Sequence, residues 1–286
     1  MFEKGAVEIV DIGGKKYIKK KLLSDINIQM CFSKKTFVDY LIGELVPTAK
    51  IIGYEIKDNS IIETQEFIGE SDKIYAIKDY IKMVAMFHRT SSSYKNEIIQ
   101  KKVLNNSVQI GNVYLKRTLL GFDEKYYLYP REVLKNSRNS SKTVQTILVL
   151  HDKLYGEFIQ CVDDRYCIIH NDLTPYNIIR GKFLYLIDFD LAIKSFEYVD
   201  VADILFNRNL DIYDYLHLLK DNYYLEEVVK EYNSVNCNKK LCVHGIKLMA
   251  AIKLFTYIMY IFSQNNQIED KLCEYLCLIY KEVVEC

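Results

Sequence analysis

The chain has 286 residues, half of them apolar and 13% aromatic, with 38 Lys+Arg balanced by 38 Asp+Glu. That composition builds a sizeable core and excludes a disordered chain, and the length fits one large domain or two lobes. A formal net charge of zero gives no electrostatic case for nucleic acid or an anionic membrane as partner.

From the N-terminus, residues 6–12 (AVEIVDI) and 17–22 (YIKKKL) read as two strands around Gly13-Gly14, which is hairpin chemistry. No apolar h-region precedes them, so a signal peptide is not expected. Phe37, Val38, Leu41, Ile42 and Leu45 then form a helical stripe that stops before Pro47. Residues 50–56 and 60–68 read as two more strands, broken at Asp58-Asn59, and Gly69 ends the sheet.

Beyond Gly69 the chain turns mostly helical. Ser71 is the expected N-cap of a helix carrying Ile74, Ile77, Ile81, Val84 and His88. His88 sits on that helix's apolar face and reads as a core histidine. Residues 142–161 and several segments past 211 read as helices, and 165–193 as loop and short strands around Pro175 and Gly181. The polar run Lys135–Ser141 is the expected mobile loop.

The most apolar stretch, Leu241–Phe262, is interrupted by Lys247 and Lys253, and its uncharged run from Leu254 turns polar after Phe262, short of the roughly 20 residues a membrane span needs. Eight cysteines without a C-x-x-C pair exclude a small secreted disulfide framework. Cys273 and Cys277, four apart on one helix face, read as packing rather than a zinc site. The expected location is a reducing cytoplasm.

The chemistry concentrates in Ile169–Asp190, IHNDLTPYNIIRGKFLYLIDFD. His170, Asp172 and Asn177 stand at relative positions 0, +2 and +7, and an apolar strand follows that ends in Asp188. Phosphoryl transfer needs a carboxylate to orient the attacking hydroxyl and take its proton. It also needs hard oxygen ligands for the magnesium that neutralises phosphate charge. A carboxylate and an amide five residues apart on one loop supply the base and one ligand, and Asp188 supplies the second. Asp190 reads equally as a group near the phosphates or as a solvated turn residue.

This stretch resembles the H-x-D-x-x-x-x-N loop and following Asp of the aminoglycoside phosphotransferase and choline kinase-like families. TQEFIGE (64–70) looks like their lobe-connecting hinge, MFH (86–88) like their leucine–histidine helix end, and YVDVADIL like their downstream segment with a structural Asp200. The resemblance implies an α+β, two-lobed protein kinase-like fold: a reduced antiparallel-sheet lobe over 1–69, with its hinge at 64–69, and a larger, mainly helical lobe over 70–286.

It further implies a kinase that moves the γ-phosphoryl of ATP or GTP, with Mg2+, to a small hydroxylated molecule such as an aminoglycoside, choline or sugar. Asp172 would be the base, Asn177 and Asp188 the metal ligands, and His170 the residue holding the loop. The nucleotide base would meet backbone of Gln65, Glu66, Phe67 and Ile68. A strand lysine would meet the phosphates; alternation against Ile18 favours Lys20, with Lys19 the other candidate.

Three departures accompany the resemblance. No G-x-G-x-x-G precedes the lysines, so the phosphate cover is expected to be reduced or absent. The helix ending at Leu45 offers only Glu44 or Asp39 as acidic partner for the strand lysine. Asn171 stands where protein kinases carry arginine, which argues for a small-molecule acceptor. Asp211, Asp214, Glu226 and Glu227 read mainly as solvated helix faces, and otherwise as attractors of a cationic substrate. The competing readings are a pseudokinase or binding scaffold with weak nucleotide use, and a spore-coat-type protein kinase-like enzyme.

Overall fold

The computed structural model describes residues 7–22, 26–57, 60–95, 103–110, 113–118, 124–135, 141–162, 166–206, 212–237, 240–265 and 270–284. The break at Asp58-Asn59, most of the expected mobile loop (136–140) and Asp211 lie outside those residues.

Strands β1 (Val7–Ile12) and β2 (Lys15–Lys21) pair antiparallel across the Gly13-Gly14 turn. Both glycines have positive φ, 63° and 80°, which only glycine adopts freely, and Asp11 Oδ1 accepts from Gly14 N at 2.9 Å. Helix α1 (Ile28–Gly43) follows, longer than its apolar stripe suggests because Asn27 caps it by accepting from Met30 N at 3.0 Å. Leu45 enters the left-handed region (φ 62°), Val46 N donates back to Leu41 O at 2.8 Å, and Pro47 prevents continuation. Strands β3 (Ile51–Lys57) and β4 (Ser60–Glu66) complete a fully antiparallel sheet of order β1-β2-β4-β3.

Helix α2 runs Ile77–Ser92 and not from Ser71. The N-cap is Ala76, whose N–H donates to Asp79 at 2.9 Å, while Ser71 bonds the carbonyls of Arg180 and Gly181. A hairpin of β5 (Val103–Ile110) and β6 (Val113–Thr118) comes next, then a π-helical turn (Glu124–Leu128) and helices α3 (Tyr129–Lys135) and α4 (Ser141–Cys161).

The short strands β7 (Cys167–Ile169), β8 (Ile178–Arg180), β9 (Leu184–Leu186) and β10 (Ile193–Ser195) pair as β7-β10 and β8-β9. Helices α5 (Tyr198–Leu205), α6 (Ile212–Lys220), α7 (Asn222–Val235), α8 (Val243–Asn265) and α9 (Asp270–Val284) complete the fold. No helix among the described residues is long and apolar enough to cross a membrane.

The core explains how the sheet is held over the helices. Helix α8 is apolar on nearly every side, and Ile246, Leu248, Met249, Ala250 and Ile252 are all inaccessible as it packs on α4, α5 and α9. Phe37 of α1 meets Phe87 of α2 edge-on at 6.3 Å and Phe189 at 6.0 Å. Burying each such ring stabilises by roughly 1.5–3 kcal/mol. Leu186 N donates to Pro47 O at 3.0 Å, so the chain entering β3 is laid against β9.

Gly245 marks the tightest approach on α8: a Cβ there would stand 2.5 Å from the Tyr198 ring. Gly245→Ala should therefore lower unfolding stability by about 1–3 kcal/mol in a urea titration, despite alanine's better helix propensity.

Candidate active site

Residues 170–177 leave β7 as a loop moulded by one carboxylate. Asp200 of α5, fully buried, accepts from His170 N at 2.7 Å and from Asn171 N at 2.8 Å. His88 of α2 lies 3.0 Å from the same carboxylate through Nε2 and 2.8 Å from the Tyr232 hydroxyl through Nδ1. Burial pushes the Asp200 pKa up, but the bonds and charges of His88 and His170 hold it below the usual carboxylate value.

Asn171 takes φ 64°, a conformation asparagine tolerates, and this turns the chain toward Asp172. Its side chain is tied to Leu191 O at 3.2 Å and to Lys125 Nζ at 3.1 Å.

His170 donates through Nε2 to Ile187 O at 2.7 Å, so the loop is pinned to the residue before Asp188. Pro175–Asn177 forms one 3-10 turn. Asn177 Nδ2 donates to Asp172 Oδ2 at 3.0 Å and to Asp172 O at 2.8 Å, while Ile187 N donates to Asn177 O at 3.1 Å. Asp172, Asn177 and Asp188 are thus held on two segments that bond each other directly. Since Nδ2 is committed to Asp172, Asn177 has its side-chain oxygen left for a ligand.

Facing them, β2 delivers Lys20. Its ammonium lies 2.7 Å from Asp188 Oδ1 and 2.7 Å from Asp190 Oδ2. Lys19, one residue earlier, points to the other face and pairs with Glu55 at 2.7 Å on the surface. Asp188 itself adopts φ 62°, ψ 62°, which turns its carboxylate toward β2.

The acidic partner expected on α1 is not there. Asp39 pairs with Lys35 on the exposed side, and Glu44 is exposed where the helix ends. In its place α1 presents a second cation. Lys34 is buried, ion-paired with Asp190 and 2.5 Å from Glu63 of β4, which has no solvent exposure and also accepts from Gln65 Nε2. Burial opposes charge on both lysines, yet the neighbouring carboxylates raise both above the ordinary lysine value. Burial likewise opposes charge on Asp190, and Lys34 and Lys20 hold it well below the usual carboxylate range.

Lys34 was not legible in the sequence, because a lysine in an amphipathic helix ordinarily lies on the wet face. Its one signal is position: Lys34 precedes the stripe residues Phe37, Val38 and Leu41 by three, four and seven residues, which puts it on their face.

Gln65 and Glu66 end β4, and Phe67 to Glu70 continue without regular structure. The turn Arg180-Gly181-Lys182 packs on this segment: Ser71 N donates to Arg180 O at 2.7 Å, and Tyr75 OH to Gly181 O at 2.9 Å. A Cβ on Gly181 would crowd Gly69 O at 3.1 Å. Asp214, Glu226 and Glu227 lie on exposed helix positions, with Glu227 paired to Lys230 at 3.3 Å.

Among the described residues no cluster of three or more His, Cys, Asp or Glu side chains forms a self-sufficient metal cage. Two hard oxygen donors, from Asn177 and Asp188, fit magnesium, which usually takes one or two protein ligands and completes its shell with phosphates and water.

No family model matches the sequence, and no curated protein matches it. Solved structures do match the fold. A microcompartment-associated aminopropanol kinase is 13% identical with a TM-score of 0.60, over 98% of this chain and 88% of that one. The choline kinase LicA from Streptococcus pneumoniae is 13% identical with a TM-score of 0.57, over 98% and 90%. The spectinomycin phosphotransferase APH(9)-Ia, solved with ADP and spectinomycin, is 12% identical with a TM-score of 0.55, over 98% and 88%. The chain therefore has the α+β protein kinase-like fold, with its small antiparallel sheet and larger helical part.

Lys34→Met leaves Glu63 and Asp190 sharing one cation fewer in a buried place and should lower stability by about 3 kcal/mol at neutral pH. In the wild type the Asp190 pKa is depressed, so its contribution is present at neutral pH and is lost only as pH falls through the folded-state value. Without Lys34, Asp190 loses the larger of the charges that depress it and protonates sooner. Urea unfolding should show the difference between variant and wild type narrowing from pH 7.5 to pH 5.

Proposed function

We propose that this chain is a kinase that transfers the γ-phosphoryl of ATP or GTP to a hydroxyl of a small molecule in the cytoplasm. The observation that carries the reading is convergence: Asp172, Asn177 and Asp188 are bonded into one unit from below, and Lys20 meets Asp188 from the sheet above. Protein kinase-like folds need this set, a base, metal ligands and a phosphate cation across a cleft.

Asp172 orients the acceptor hydroxyl and takes its proton, its carboxylate held by the Asn177 amide. Asn177 and Asp188 hold magnesium, which supplies charge neutralisation across the phosphates. Lys20 turns from Asp188 to the phosphate oxygens when nucleotide arrives. Backbone groups of Gln65 to Ile68 receive the nucleotide base beside the Gly181 turn. The acceptor class is inferred from the fold's neighbours, which are described as kinases of aminopropanol, choline and spectinomycin, and from Asn171 at the arginine position of protein kinases.

Calorimetry with ATP and GTP, with and without magnesium, tests the nucleotide side. Asp188→Ala should weaken magnesium-dependent binding by about tenfold or more, a loss of about 1.4 kcal/mol. Asp190 remains in that variant to pair Lys20, so the cation stays compensated. Asp172→Ala should bind nucleotide as the wild type does. With an acceptor found among amino alcohols, aminocyclitols and sugars, its kcat should fall by about 10²–10⁴-fold. A wild-type chain that binds neither nucleotide would sink the kinase reading and leave the scaffold.

A further inference from the structure

Two cysteines outside the candidate active site meet where α4 ends and α8 begins. Cys161 is the last residue of α4, and Cys242 immediately precedes α8. Their sulfurs are 3.4 Å apart although the residues are 81 positions apart in sequence. Cys242 occupies the N-cap of α8: its carbonyl accepts from Ile246 N at 3.2 Å, and its sulfur accepts from Gly245 N at 3.3 Å.

The Tyr198 hydroxyl stands 3.7 Å from the same sulfur and accepts from Cys242 N at 3.2 Å. The missing side chain of Gly245 is what lets the Tyr198 ring lie there. Cys242 is exposed and Cys161 half-buried, whereas Cys31 and Cys167 are sealed in the core.

We propose that Cys161 and Cys242 are a redox-active dithiol, a modification site at which a peroxide oxidises Cys242 and Cys161 closes the disulfide. The two sulfurs are not equivalent. Cys161 donates to Cys242, and the Gly245 N–H and the Tyr198 hydroxyl add to it at a helix N-terminus. Together they draw the Cys242 thiol down to about 5, while the same contact pushes Cys161 up. Cys242 is therefore the thiolate that meets the oxidant, and Cys161 the thiol that resolves it.

In the first step the Cys242 thiolate attacks a peroxide oxygen and the O–O bond breaks. Cys242 becomes a sulfenic acid, and the leaving hydroxide takes a proton as water. In the second, Cys161 sulfur attacks the sulfenic sulfur, the S–O bond breaks, and hydroxide leaves with the Cys161 proton as a second water. Two thiols lose two electrons and one peroxide gains them. Closure to the disulfide length of about 2.05 Å needs the contacting sulfurs to approach by only about 1.4 Å. A dithiol reductant reverses it by exchange.

The test takes the full reduced chain, treats it with hydrogen peroxide, blocks remaining thiols with iodoacetamide and maps tryptic peptides without reductant. The expected product joins peptide 154–165, which holds Cys161, to peptide 241–247, which holds Cys242, and dithiothreitol separates them. Recovery of both peptides unlinked, or of Cys242 linked to Cys237 in peptide 231–239, would overturn the proposal.

A second arm uses Cys161→Ser, in which Cys242 should accumulate as a sulfenic acid that dimedone traps; no adduct on Cys242 counts against it. In the wild type at pH 6, iodoacetamide should modify Cys242 about tenfold faster than the exposed Cys237. Equal rates would remove Cys242 as the attacking sulfur.

Discussion

Asp200 is a fully buried carboxylate, and an ionised carboxylate out of water costs several kcal/mol unless donors surround it. Here the donors are the backbone of His170 and Asn171 and the ring of His88. That requirement ties together elements from distant parts of the chain. His88 brings α2, Tyr232 behind it brings α7, and Asn236 bonds the Tyr232 hydroxyl in turn at 3.2 Å. The His170 ring reaches Ile187, so the loop bearing Asp172 and the segment bearing Asp188 share one support. The positions of the Asp172 loop and the Asp188 segment are set, directly or at one remove, by satisfying this charge.

The second constraint lies between sheet and helices. Asp190 would be as costly as Asp200 without its two lysines, and Lys34 and Glu63 are each buried on the strength of the other. Such a network contributes little net stability against an apolar equivalent, since desolvation offsets the attraction. What it does is specify geometry: it fixes β2, α1 and β4 against 188–190 in one arrangement, alongside the aromatic contact of Phe37 with Phe189.

The loop and segment proposed to carry base and metal could be singled out because their pattern is local: His170, Asp172 and Asn177 lie within eight residues, and Asp188 follows the next strand. The four strands around Gly13-Gly14 and Asp58-Asn59 were legible for the same reason, as period-two patterns broken by turn residues. Contacts made across the fold were not. Lys34 reads as a surface lysine until Asp190 and Glu63 are brought to it, and Cys161 reads as an isolated thiol until α8 places Cys242 beside it. Ser71 looks like a helix cap by composition, but the carbonyls of the β8–β9 turn claim its hydroxyl first. The β5–β6 hairpin escaped because its alternation is interrupted by VLNNS, which carries no strand signal.

On the proposed reading, the missing glycine-rich cover and the lysine on α1 are two sides of one solution. The β1–β2 turn is closed on itself by Asp11 and is two residues long, so it offers no loop to fold over phosphate. Phosphate charge must then be met from the sheet face, by Lys20. When Lys20 changes partner, Asp190 would lose half its compensation in a site nearly closed to water. Lys34 already pairs with Asp190 and with Glu63, so both carboxylates keep a cation, and Asp188 is the one acid released. The acid set free follows Ile187, whose N–H bonds Asn177 O, and on this reading Asn177 and Asp188 would give the cation that accompanies a nucleotide its oxygen ligands. A glutamate in place of Lys34 would instead gather four acids, with Asp188, Asp190 and Glu63, around the single cation of Lys20.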